Sequence, residues 1–115
     1  MHEASIALSI LDTVIGQCTS QGYRAVTSVR LRIGKAAGIL PDALFFAFDI
    51  AKKGTAAHEA ELIVETEPVG GRCLACDESF VSEERFVFAC PACGSARLEI
   101  TRGLEMQILD MEVEE

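Results

Sequence analysis

Several features are missing from this 115-residue chain. No apolar run approaches the roughly 20 residues that a membrane-spanning helix needs. No basic stretch precedes the apolar segment near the N-terminus, so a secretory signal is not expected and a cytoplasmic protein is. Positive charge is scarce: ten Lys and Arg stand against eighteen Asp and Glu, a net charge of −8. Such a chain is a poor general binder of nucleic acid or anionic membrane. There is no Gly-rich phosphate loop, no nucleophile paired with a base, and no pair of acids in an obvious cleft. An enzymatic role is therefore not expected. Internal repeats and low-complexity segments are absent as well.

Apolar residues are not lacking. They make up 50% of the chain, enough for a packed core. Cysteine is placed with a pattern: Cys73, Cys76, Cys90 and Cys93 form C-x2-C-x13-C-x2-C. Two residues between cysteines let both thiolates of a knuckle turn onto one ion. Two knuckles supply four sulfurs, the donor set of a closed tetrahedral zinc site. Gly94 follows the second knuckle, where a positive φ is cheap. Pro91 stiffens the same turn. In the spacer, Phe80, Val81, Phe86 and Phe88 are strand-type residues, expected to fold back as a hairpin over the metal. The reading is a zinc ribbon. Two disulfides would require an oxidising compartment. A redox C-x-x-C comes singly and caps a helix. Iron is a further occupant for four thiolates, disfavoured by Asp77 where a second knuckle glycine would stand.

The remaining chain divides into short elements. From Glu3 to about Gln21, Ala4, Ala7, Leu8, Leu11, Val14, Ile15 and Cys18 recur at helical steps, with Ile6 and Ile10 widening the face. Cys18 reads as a core residue. Arg24–Gly34 alternates, Val29, Leu31 and Ile33 against Ser28, Arg30 and Arg32, as a half-buried strand does. Pro41 opens a second helix with Asp42 in its first turn. Leu44, Phe45, Phe48 and Ile50 or Ala51 would form its buried face, and Gly54 its stop. His58 falls in a polar turn. Glu61–Glu67 is a strand with Leu62 and Val64 inward. Pro68–Gly71 looks like a breaker-rich hinge. A last strand has Leu104, Met106 and Ile108 on one face, then Leu109, Met111 and Val113, as a bulge would allow.

This order predicts an α+β fold: a small mixed three-stranded sheet with two helices on one face, plus an inserted zinc-ribbon domain. Residues 1–69 with 98–115 would form the α/β domain, and residues 70–97 the ribbon.

The chain starts Met-His-Glu. The α-amine of Met1, the backbone nitrogen of His2 and its imidazole can close fused chelate rings. Ni²⁺ and Cu²⁺ drive the amide deprotonation that such a square-planar site needs. The carboxylate of Glu3 would add an oxygen. Against this stands a plain frayed terminus.

The terminal Met-His-Glu, the helix, the strand, the helix ending in Gly-Thr and the doubled knuckle together resemble the HypA/HybF family over essentially the whole chain. The resemblance implies a nickel-insertion metallochaperone for [NiFe]-hydrogenase maturation, with an α/β nickel domain and an inserted zinc domain. It implies exchangeable Ni²⁺ at the N-terminus, with His2 the essential ligand and Glu3 beside it. It implies structural Zn²⁺ on Cys73, Cys76, Cys90 and Cys93. The family's acidic residue at the start of the second helix matches Asp42. The implied partners are the GTPase HypB and the hydrogenase large subunit. A monomer or weak homodimer is expected. The competing class is a zinc-ribbon module that binds nucleic acid or protein. Arg72, Arg85, Arg97 and Arg102 argue for it; Asp77, Glu78, Glu83 and Glu84 offset them, and no basic stripe results.

Overall fold

The computed structural model describes residues 2–115. Two helices and six strands follow in the order α1 (Glu3–Ser20), β1 (Ala25–Gly34), α2 (Pro41–Ala51), β2 (Glu61–Glu67), β3 (Val69–Cys73), β4 (Ser79–Ser82), β5 (Leu98–Arg102) and β6 (Met106–Glu114). The strands make two three-stranded sheets, β2-β1-β6 and β4-β3-β5. The chain parts into two compact units. One comprises residues 1–31, 39–65 and 107–115; the other comprises 32–38 and 66–106.

In the first unit α1 and α2 pack on each other. Two cross-strand ties set the direction of each pairing. Arg24 N–H donates to Glu114 O and Arg30 pairs with Asp110, so β1 and β6 run antiparallel. Val26 N–H donates to Ala56 O just ahead of β2, and Arg30 pairs with Glu65, so β1 and β2 run parallel. The sheet is thus mixed, as expected. Val29 and Leu31 are buried and Arg30 exposed, as alternation required; Val26 is buried too, one step out of phase. Ile108 and Leu109 are both half-buried, and burial then alternates through Met111 and Val113.

The buried face of α1 is rotated from the expected one. Ile6, Ala7, Ile10, Leu11, Val14 and Cys18 are buried, whereas Ala4 is exposed and Leu8 is 55% exposed. Apolar residues lie on both flanks of this helix, so period alone left its rotation undetermined. The bulkier Ile6–Ile10–Val14 stripe takes the core because it removes more surface from water. In α2, Leu44 and Phe48 are fully buried and Phe45 is half-buried, but Ile50 is exposed. His58 is exposed in the turn ahead of β2, as anticipated.

The second unit corrects two expectations. The segment read as a hinge is strand β3, the centre of its sheet. It pairs antiparallel with β4, Gly71 opposite Phe80, and with β5, Gly71 opposite Ile100. Gly71 serves close approach rather than flexibility: a Cβ there would stand 2.0 Å from Glu99 O. The second correction concerns the spacer. Phe80 is buried in β4, but Phe86 and Phe88 are in no strand. They are 59% and 80% exposed and stack on each other with centroids 6.1 Å apart. The hairpin is β3–β4, turned by the first cysteine pair.

Candidate metal centres

The two knuckles have the same construction. Cys73 ends β3, and Asp77 N–H donates to Cys73 O at 2.9 Å. In the second knuckle Gly94 N–H donates to Cys90 O at 2.8 Å. Both residues after the second cysteine are left-handed, Asp77 at φ 65° and Gly94 at φ 77°. Asp77 therefore occupies the conformation that glycine would take for free, and its carboxylate pairs with Arg72. The two knuckles are tied by Leu74 N–H to Arg97 O at 2.8 Å, next to the Cys73–Leu98 register pair of β3 and β5.

This brings together four cysteines whose Sγ atoms all lie within 4.8 Å of one another. Cys73 Sγ is 3.6 Å from Cys93 Sγ, and Cys76 Sγ is 3.7 Å from Cys90 Sγ. Zn–S bonds of about 2.3 Å at tetrahedral angles would put sulfurs about 3.8 Å apart. Disulfides would need about 2.05 Å, and all five cysteines of the chain are free. The donor set and spacing fit Zn²⁺. The outlying Cys18 is buried in α1, its thiol facing Tyr23 O at 3.5 Å.

Backbone amides prepare the sulfurs for charge. The N–H groups of Cys76 and Ala75 point at Cys73 Sγ at 3.5 and 3.4 Å, and they draw its thiol down to about 6. Ala92 N–H points at Cys90 Sγ at 3.3 Å. Cys76 goes the other way. The Glu78 amide lowers it, but partial desolvation and the neighbouring thiols outweigh that and push it up to about 12. Cys93 is also raised: the Ser95 amide lowers it, but partial desolvation and the neighbouring Cys73 and Cys90 outweigh that. Without a metal one thiolate forms readily, and it discourages the next. A divalent cation removes that conflict.

The N-terminal candidates sit in the first unit. His2 is exposed and is the N-cap of α1, with extended backbone (φ −86°, ψ 148°). The Met1 amine, the third proposed chelating group, lies outside the described residues. Glu3 is the first residue of α1, and its Oε2 accepts a hydrogen bond from Leu40 N at 3.2 Å. That bond holds the Glu3 carboxyl below its ordinary range, followed in weight by Glu3's own amide. It also places the start of α2, whose first turn contains Asp42, beside the start of α1. Leu40 was not visible as a participant in the sequence, because its contribution is a backbone N–H and its partner is 37 residues away.

Comparison with known proteins agrees with this arrangement. The HypA family, described as hydrogenase/urease nickel incorporation, metallochaperone, matches residues 1–113. A hydrogenase maturation factor HypA from Chlorobium luteolum is 40% identical over 115 residues, covering 100% of this chain and 97% of that protein. One from Pelodictyon phaeoclathratiforme is 44% identical over 117 residues, again covering 100% and 97%. The solution structure of the Ni metallochaperone HypA from Helicobacter pylori superposes with a TM-score of 0.68 over 99% of this chain and 98% of that one; at 23% identity it speaks for the fold. With the four-sulfur cluster, the Met-His-Glu start and matches across its full length, this chain belongs to the HypA family of nickel metallochaperones for hydrogenase maturation.

Proposed function

We propose that this chain binds Ni²⁺ at its N-terminus through His2 and delivers it during assembly of a [NiFe]-hydrogenase, with structural Zn²⁺ on Cys73, Cys76, Cys90 and Cys93. One observation carries the nickel assignment: His2 is an exposed N-cap residue whose side chain makes no capping hydrogen bond among the described residues. Its imidazole can therefore turn onto an ion, with the backbone nitrogen and Glu3 next to it. Nickel is cargo here and must leave again, which favours few ligands at an exposed end.

Family membership supports the recipient and the absence of catalysis, since these proteins are maturation factors rather than enzymes. Nucleotide hydrolysis would come from a partner GTPase of the HypB type, and the hydrogenase large subunit would receive the ion in the cytoplasm. The nucleic-acid alternative loses its main support, because Arg72 is paired with Asp77 and Arg102 with Glu67.

Protons compete with nickel for the imidazole and the amide nitrogen, so affinity falls as pH is lowered. Calorimetry on the untagged chain tests the assignment. His2→Ala is expected to abolish nickel binding while zinc content and melting stay as they were. Unchanged nickel affinity in that variant would mean that the ion binds elsewhere.

A further inference from the structure

Helix α2 starts without a local acceptor for its first amide. Its N-cap is Leu40, extended at φ −89° and ψ 114°, with no side-chain capping bond. In a capping box, a Glu or Gln at the third helical position reaches back to the N-cap N–H. Here that position is Ala43. The acceptor arrives from another helix instead, as Glu3 Oε2 at 3.2 Å. Glu3 is itself the first residue of α1. One carboxylate therefore stands at the amino ends of both helices, where the aligned peptide dipoles favour negative charge. His2 precedes it directly, and among the described residues no side chain caps α1.

We propose that Glu3 is a positioning residue of the nickel site: its Oε2 clasps Leu40 N–H, holds the His2 end of α1 against the start of α2, and keeps that bond when nickel is bound. The proposal rests on the nickel reading above. A chain terminus is ordinarily frayed. Ligands spread along a frayed end must lose that freedom when the ion binds, and a clasp formed beforehand removes part of the loss. What this role requires of Glu3 is a hydrogen-bond acceptor of the right length. An amide oxygen can supply that, whereas it cannot replace a carboxylate acting as a charged nickel ligand.

The two roles separate in one experiment on the full-length, untagged, ¹⁵N-labelled chain. Hydrogen exchange of the Leu40 amide is measured without metal, and nickel chloride is titrated by calorimetry, for Glu3→Ala and Glu3→Gln. In Glu3→Ala the amide is expected to exchange about tenfold faster and nickel to bind about tenfold more weakly, the scale of one hydrogen bond. Glu3→Gln is expected to stay within about threefold of the parent in both, since the acceptor is retained. Loss of nickel affinity in Glu3→Gln as large as in Glu3→Ala would overturn the proposal and make the carboxylate a ligand. An unchanged Leu40 exchange rate in Glu3→Ala would overturn it too. Failure of the nickel reading shows separately, as unchanged affinity in His2→Ala, because the exchange rate is read with no metal present.

Discussion

Gly34 and Gly103 meet backbone to backbone. A Cβ on Gly34 would lie 2.0 Å from the carbonyl carbon of Gly103 and 2.1 Å from its oxygen. The contact is locked by Gly34 N–H to Glu105 O and Ala36 N–H to Gly103 O, both at 2.8 Å. Backbone cannot rotate away as a flexible side chain can. Gly34→Ala is therefore expected to cost about 3 kcal/mol, at the upper end for overpacking. Denaturant titration of the full chain checks this; a loss under about 1 kcal/mol would show that the crossing can open.

The phenylalanines of α2 separate core from surface. Phe48 is fully buried and Phe46 is 70% exposed. Phe48→Ala should destabilise the chain by about 3–5 kcal/mol, from lost transfer energy plus the cavity left behind. Phe46→Ser should stay within about 0.5 kcal/mol. Equal losses in thermal melts would mean that Phe46 is covered in solution.

Asp77 carries a left-handed backbone that glycine adopts without cost. Asp77→Gly should remove about 1 kcal/mol of strain, more than the exposed, solvent-screened pair with Arg72 contributes. A small net gain in resistance to chelator-driven zinc loss is expected. Faster zinc loss than in the parent would show that the ion pair outweighs the strain.

Zinc uptake should release protons. Metal-free at neutral pH, Cys73 at about 6 is mostly thiolate, whereas Cys76 at about 12 holds its proton and Cys93 is raised in the same direction. A four-thiolate site needs every one of them ionised. Binding near pH 7.5 should therefore expel the protons of Cys76 and Cys93, and affinity should weaken as pH falls. The dependence should steepen below about pH 6, where Cys73 is protonated too. Calorimetry in buffers of different ionisation enthalpy measures the release; none at pH 7.5 would contradict this electrostatic picture. Cys90→Ser should lose zinc and loosen the knuckles while leaving the α1–α2 core folded.

Much of the fold and of the candidate site could be read without coordinates, and the physical reason is range. A C-x2-C knuckle is a local chelate, so spacing alone named Cys73, Cys76, Cys90 and Cys93, and the structure gathers their sulfurs within 4.8 Å. The α1-β1-α2-β2 order follows from periodicity over neighbouring residues, with Pro41 and Gly54 as punctuation. What escaped depended on partners far along the chain. Glycines at 70 and 71 looked like a hinge because glycine serves both flexibility and close approach, and at Gly71 only the position of Glu99 decides between them. Phe86 and Phe88 have strand-type side chains, but β3 already finds its partners in β4 and β5, and they are left outside. The rotation of α1 was undetermined while both flanks carried apolar side chains; packing chose Ile6, Ile10 and Val14. The Glu3–Leu40 bond joins a side chain to a backbone amide 37 residues later, a pairing that no composition or period encodes. The sequence by itself thus determined the four-sulfur cluster and the order of elements, which are local. The tertiary structure alone decided the backbone crossings, the helix faces and the anchoring of the N-terminus, because each depends on where a distant part of the chain comes to rest.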